Sequence, residues 1–197
     1  QTREDFEQYP WDSLCDRYFS TFSDHFKALR ETMPEGMLAV GGVGNGVFEC
    51  VQDLVGLQDL CYMKVDDEEL YRDMFAKVGD MLVVIWQQFL AEFGDVYCVC
   101  RFGDDLGFRS SMNDIISVAG IDAKHSNEDA IAPYQAWIDR YGDRIGNFGG
   151  LDTDALCDVN PCDIEDYTIK VYRVCEAKGH GIAIGSGNSI PDYVSEE

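Results

Sequence analysis

Basic residues are scarce in this sequence, and their scarcity excludes two classes of partner. The 197 residues include 15 Lys and Arg against 37 Asp and Glu, which gives a formal net charge of −22. Nucleic-acid binding needs clustered Lys and Arg that contact phosphates, and an anionic membrane surface attracts the same side chains. The composition therefore predicts that the chain binds neither nucleic acid nor a membrane surface.

Long apolar runs are also missing. The longest covers residues 81–86, which is far short of the roughly 18 apolar residues of a membrane span. No apolar segment follows the polar first residues, so we expect no secretory signal peptide. The 8 cysteines do not have the spacing of a disulfide framework. These absences predict a cytoplasmic protein with reduced thiols.

Several familiar motifs are absent from the glycine-rich segments. Gly42 and Gly44 are not followed by the third glycine of a dinucleotide fingerprint, because residue 47 is Val. No Walker A sequence occurs, and the glycines at 185 and 187 do not have the spacing of a nucleophile elbow. The sequence therefore favours a ligand site of a different kind.

What the sequence does contain is an alternation of short apolar strands and amphipathic helices. Strands are predicted to begin near residues 37, 96, 121, 144 and 181, and helices are predicted within 18–29, 67–93, 128–141 and 163–178. Residues 41–46 are predicted to form a turn after the first strand, and Asp163 is the predicted N-cap of the last helix. The longest helix is predicted to have Asp66 or Asp67 as its N-cap and Gly94 as its stop. Because the strands are apolar on both faces, the pattern indicates an α/β fold in which a parallel sheet is covered by helices.

Each predicted strand is followed by glycine and by a polar side chain. Parallel α/β folds bind ligands at the carboxyl ends of their strands, so we expect these side chains to form one site. The candidates are Asn45, Asp104, Asp105, His125, Ser126, Asp152, Ser186 and Asn188. The same residue types are common in turns, so any single strand end also fits a purely structural role.

Asp104 and Asp105 are the candidate catalytic residues, because a carboxylate can act as a general base or bind a cation. Neighbouring side chains on an extended segment point to opposite sides. We therefore expect one of the two to face the ligand and the other to cap a helix. The other six candidates are assigned to substrate binding, and Asp152 among them is also expected to orient a neighbour or to cap a helix.

No metal site is predicted. His125 has no second His or Cys nearby in the sequence, and a metal centre needs several ligands at suitable spacing. Cys98 and Cys100 lie on one face of a strand without further partners, and we interpret them as buried core thiols.

Several of these segments together resemble the uroporphyrinogen decarboxylase superfamily. The similar segments are residues 102–108, 119–123, 141–145, 149–153 and 185–194. The resemblance implies a (β/α)8 TIM barrel, of which this chain forms a partial barrel, with the site at the carboxyl ends of its strands. It also implies a helical lead-in over residues 1–35, a barrel portion over 36–197, and an internal deletion near 117–119.

The family contains uroporphyrinogen decarboxylases and zinc-dependent methyltransferases that transfer methyl groups to or from corrinoids. Residues 104–108 and 185–191 are more similar to the methyltransferase branch. That similarity implies methyl transfer involving a corrinoid, with a corrinoid protein or a second copy of the chain as partner. The zinc motif of that branch is absent here, so zinc is assigned to no residue. The alternatives are a carboxy-lyase of tetrapyrrole biosynthesis, which needs no cofactor, and a truncated barrel that serves as a non-catalytic scaffold.

Overall fold

A computed structural model describes residues 2–104, 120–125, 132–158, 161–178, 181–190, 192 and 194. The chain divides into two compact units, Gln1–Leu106 and Gly107–Glu197. The boundary predicted at residue 35 lies within the first unit. The deletion predicted near residues 117–119 lies outside the described residues.

The first unit contains five helices and a two-stranded parallel sheet. In chain order these are α1 (Arg3–Gln8), α2 (Leu14–Thr32), β1 (Ala39–Asn45), α3 (Val47–Val55), α4 (Leu57–Asp66), α5 (Glu68–Phe93) and β2 (Tyr97–Gly103). Short 3-10 turns precede α2 and β2. The last paired residues of the sheet are Asn45 and Gly103, so β1 and β2 end at the same edge.

Helix α5 forms the core of the first unit. All seven apolar side chains at the predicted helical spacing are buried: Leu70, Met74, Val78, Leu82, Ile85, Phe89 and Phe93. The Asp67 carboxylate accepts a hydrogen bond from the backbone N–H of Leu70 at 2.9 Å, so Asp67 is the N-cap among the two predicted candidates, Asp66 and Asp67. By length and composition this is the one helix among the described residues that is long and apolar enough to cross a membrane. The core helix of a soluble protein meets the same criteria, so this is weak evidence for a span.

The described residues of the second unit form a three-stranded parallel sheet and three helices. Its elements are β3 (Ala123–Lys124), α6 (Tyr134–Tyr141), β4 (Gly146–Leu151), α7 (Thr153–Asp158), α8 (Pro161–Lys178) and β5 (Ile182–Ser186). The strand order is β3-β4-β5. Tyr134 and Ile138 of α6 form a buried cluster with Val171 and Cys175 of α8, so these two helices pack together beside the sheet.

The predicted α/β class with parallel strands is confirmed, and a strand is present at each of the five predicted places. The strands form two small sheets, and no closed barrel is found within the described residues. The finer assignment to a partial TIM barrel therefore stays a prediction.

Four local predictions differ from the structure. Strand β1 continues through residues 41–45, which were expected to form a turn. Helices α3, α4 and α7 occupy segments for which no helix was predicted. Asp163 was expected to cap the last helix, but α8 begins at Pro161 and places Asp163 in its first turn. Cys98 and Cys100 are exposed thiols, so their interpretation as core residues was wrong.

Candidate functional site

The Asp104 carboxylate at the end of β2 caps a helix that follows the neighbouring strand. Its Oδ1 accepts a hydrogen bond from the Glu49 N–H at 3.0 Å, and its Oδ2 accepts one from the Phe48 N–H at 3.2 Å. Both donors belong to the first turn of α3, where backbone N–H groups have no partner within the helix. Asp104 thus takes the capping role that was expected of one member of the aspartate pair. Asp105 lies outside the described residues.

Gly46 makes this cap possible by leaving space. It is the N-cap residue of α3 and has no side chain to bond the first turn. A Cβ atom placed on it would lie 2.4 Å from the Asp104 Cγ. Its φ of −81° is open to any residue. The glycine is therefore required by the close approach of the carboxylate and not by backbone conformation.

Burial and nearby carboxylates, including that of Asp104, favour the protonated form of the Cys50 thiol. Burial raises the pKa of Cys50, and the carboxylates of Asp104, Asp53 and Glu49 raise it further. A thiol becomes a nucleophile only as thiolate, so this environment disfavours Cys50 as a reactive group. Asn45, the other predicted residue at this edge, is exposed.

Asp152 plays a similar structural part in the second unit. It follows β4, and its side chain is 6% exposed. Its Oδ1 accepts hydrogen bonds from the N–H groups of Asp154 at 2.8 Å and Ala155 at 3.1 Å, which makes Asp152 the N-cap of α7. Its own N–H donates to the Tyr167 hydroxyl at 3.0 Å. The expectation that Asp152 caps a helix agrees with this geometry.

Ser186 and Asn188 lie at the same edge as Asp152. Ser186 is the register partner of Leu151, and the Gly187 N–H donates to the Leu151 carbonyl at 2.6 Å. Asn188 is exposed, and its Oδ1 accepts a hydrogen bond from the Ser189 N–H at 2.8 Å. The ends of β4 and β5 therefore bring together three of the predicted polar residues.

His125 does not lie beside Asp152 and Ser186, because β3 ends earlier along the sheet than β4 and β5. Strand β3 ends at Lys124, which pairs with Asn147, whereas β4 continues to Leu151. Four residues of a parallel strand span about 13 Å. His125 is thus separated along the strand direction from Asp152 and Ser186. Ser126 lies outside the described residues.

The sequence did not predict two polar side chains of this sheet, the buried Asn147 and the half-buried Lys124. Asn147 is 4% exposed, and its Nδ2 donates to the Ile145 carbonyl at 2.8 Å. The Lys124 Nζ lies 4.6 Å from the centroid of the Trp137 ring in α6, and burial lowers the pKa of Lys124 to about 8. Because Lys124 and Asn147 are register partners, both side chains belong to the helix-covered face. A Lys and an Asn within strands predicted to be apolar are the sequence signal that could have identified these two residues.

No metal cluster marks the strand ends among the described residues. No group of three or more His, Cys, Asp or Glu side chains there is arranged to hold a metal ion. One cavity, of about 340 Å³, lies between α8 and β5 and is lined by Tyr172, Cys175, Glu176, Ile182 and Ile184. It opens beside β5 on the face that α8 covers, away from the polar residues at the strand ends.

Comparison with known proteins adds no assignment. A scan against protein-family models and searches of curated proteins and of solved structures found no match for this chain.

Proposed function

We propose that this chain is part of an α/β-barrel enzyme of the uroporphyrinogen decarboxylase superfamily, with methyl transfer involving a corrinoid as its reaction. The observation that supports the proposal is the placement of polar residues at the carboxyl ends of parallel strands in both units. Asn45 and Asp104 lie at one such edge, and Asp152, Ser186 and Asn188 lie at the other. Ligand binding at such an edge is what the family resemblance implies, and the proposed location is the cytoplasm, which the spacing of the cysteines favours.

The two aspartates at the end of β2 take different roles in this proposal. The Asp104 carboxylate accepts hydrogen bonds from two backbone N–H groups of α3, so it acts as a positioning residue. Asp105 follows directly and is the carboxylate proposed to face the ligand. Asn45, Ser186 and Asn188 would contribute hydrogen bonds to polar groups of the corrinoid or of the methyl donor.

Zinc does not fit the described residues, because no set of three ligands lies together. No step of the reaction is therefore assigned to zinc. The corrinoid would enter as a ligand, carried by a separate corrinoid protein, and a second copy of this chain is the other partner that the resemblance allows.

A porphyrinogen carboxy-lyase is the second candidate, and the charges next to the strands argue against it. A substrate with many carboxylates needs a cationic cleft. Within three residues of the carboxyl end of a strand, Arg101 and Lys124 are the two Lys or Arg side chains among the described residues. The Lys124 charge is disfavoured by burial, which lowers its pKa to about 8.

A non-catalytic scaffold is the third candidate, and one observation favours it. Asp104 and Asp152 both have their carboxylates engaged as helix caps. If Asp105 has a structural role as well, no carboxylate of the predicted site is left for chemistry.

Titration of the whole chain separates the three candidates. We expect a methylcorrinoid to bind saturably, as followed by its visible absorbance, and Asp105→Asn to weaken that binding at least about tenfold, or about 1.4 kcal/mol. The matched variant Asp104→Asn should lower thermal stability while leaving corrinoid binding within about twofold. Turnover of uroporphyrinogen would replace this proposal with the carboxy-lyase, and binding of neither ligand would replace it with the scaffold.

A further inference from the structure

A second cavity lies in the first unit, far from the strand ends. It has a volume of about 230 Å³ and lies where α1 and the turn after it meet the ends of α3, α4 and α5. Leu54 of α3 lines it, whereas Asp104 bonds Phe48 and Glu49 at the other end of the same helix. Six helical residues span about 9 Å. The cavity is therefore distinct from the site assigned above, and the inference is independent of the proposed function.

Three aromatic rings form one side of this cavity: Phe6, Tyr9 and Trp11. The Trp11 ring lies 5.4 Å from the Phe6 ring and 4.6 Å from the Tyr9 ring between centroids, with interplanar angles of 56° and 53°. The Trp11 Nε1–H donates to the Phe6 carbonyl at 2.8 Å. This hydrogen bond fixes the orientation of the indole, so the aromatic side of the cavity is organised before a ligand enters.

One carboxylate accompanies the rings. Asp5 lines the cavity, and its Oδ2 accepts hydrogen bonds from the N–H and the hydroxyl of Thr2 at 2.8 and 2.9 Å. The bond from the Thr2 backbone, together with that from its side chain, holds the pKa of Asp5 below its ordinary value. The carboxylate is thus an anion at neutral pH, in a chain whose net charge of −22 already attracts cations.

Arg3 is a cation close to these rings, and it already has anionic partners. Its guanidinium lies 5.9 Å from the centroid of the Phe6 ring, pairs with Asp73, and lies 3.9 Å from Asp67. Its charge is balanced by those carboxylates. Arg3 therefore leaves the charge of Asp5 available to a ligand.

We propose that this cavity binds a small N-methylated ammonium ion, of the quaternary ammonium class. Aromatic faces attract such ions through their quadrupole, and a carboxylate adds a direct charge interaction. The thioethers of Met63 and Met74 line the same cavity and offer the polarizable contacts that suit methyl groups. Taking about 30 Å³ for each water-sized group, the cavity of about 230 Å³ holds roughly seven or eight non-hydrogen atoms. That is the size of a trimethylammonium group with a short polar tail.

Calorimetric titration of the full chain with choline tests the proposal. The comparison ligand is the uncharged isostere of choline, in which carbon replaces nitrogen, because it has the same shape without the charge. We expect saturable binding of choline and binding of the isostere weakened at least about tenfold, or about 1.4 kcal/mol. Equal binding of the two ligands, or no saturable binding of choline, would overturn the proposal.

Matched variants locate the binding. Trp11→Leu and Asp5→Asn should each weaken choline binding by roughly tenfold or more. The controls are Tyr62→Leu, which removes a tyrosine that is 59% exposed and does not line the cavity, and Asp12→Asn, which removes an exposed neighbouring charge. Should Trp11→Leu unfold the chain, Tyr9→Leu gives the same test at a ring that is 37% exposed. Equal losses in the control variants would show diffuse attraction to an acidic surface and would refute the assigned site.

Discussion

Replacing Asp104 with alanine tests whether this predicted catalytic carboxylate is a structural cap. The change removes hydrogen bonds to the Glu49 N–H at 3.0 Å and the Phe48 N–H at 3.2 Å. The two bonds serve one helix end and are counted together as a single cap. Loss of an N-cap side chain costs about 0.5–2 kcal/mol. Because the contact is only partly buried, we expect the free energy of unfolding to fall by about 1–2 kcal/mol.

Gly46→Ala probes the same contact from the other side. The new Cβ would lie 2.4 Å from the Asp104 Cγ and 2.5 Å from its Cβ, and overpacking of this kind costs about 1–3 kcal/mol. In an Asp104→Gly background the obstructing atoms are gone, so the same glycine change should cost little. A double-mutant cycle should therefore give a coupling energy of at least about 1 kcal/mol between the two positions.

Urea denaturation followed by far-UV circular dichroism measures these changes. Asp53→Ala is the matched control, because Asp53 is an exposed aspartate near the other end of α3. A carboxylate near a helix C-terminus is mildly unfavourable, so its removal should be neutral or slightly stabilising. The capping role is refuted if Asp104→Ala leaves the unfolding free energy unchanged, or if Gly46→Ala costs the same with and without the Asp104 side chain.

Three further changes test other contacts. The pKa of Lys124 is about 8 in the folded chain against an ordinary 10.5. Between these pH values the unfolded chain binds more protons than the folded chain, so the free energy of unfolding should rise with pH, by at most about 3 kcal/mol. Lys124→Met should abolish this contribution in urea titrations at several pH values. Tyr18→Phe removes a hydrogen bond of 2.8 Å to the Val43 carbonyl and should cost about 1 kcal/mol. Burial raises the pKa of Tyr18 to about 12, so its tyrosinate absorbance step should move down in pH on unfolding and should be missing in Tyr18→Phe. Asp152→Ala should cost about 1–2 kcal/mol by chemical denaturation, through loss of the α7 cap.

Helical periodicity was the most reliable signal in the sequence. The α5 prediction gave the buried face, the Asp67 cap and the end of the helix, because each depends on residues within a few positions of one another. Helix α3 was missed for the opposite reason. Its capping carboxylate lies 55 and 56 residues from the N–H groups that it accepts, and no local pattern indicates such a contact.

The glycines of β1 show how packing overrides a local preference. Residues 41–46 were interpreted as a turn because glycine is common in turns. A Cβ on Gly42 would lie 2.4 Å from the Trp86 ring, and one on Gly41 would lie 3.2 Å from the Tyr97 ring. The strand needs glycine so that these two aromatic side chains can approach its backbone. Composition alone cannot separate this cause from a turn, because the aromatic partners come from other elements.

The candidate site was predicted by position more successfully than by role. Polar residues do lie at the carboxyl ends of the strands, as the sequence indicated, since βα connections start there. The same connections must satisfy the N–H groups at the beginning of each helix, and a carboxylate serves that need as well as it serves a ligand. Asp104 and Asp152 meet it at two strand ends. A search for chemistry in this chain should therefore turn to Asp105, the second carboxylate of the predicted pair, and to the exposed amides of Asn45 and Asn188. Asp104 and Asp152 are the caps of α3 and α7, and neither of these two amides has that role.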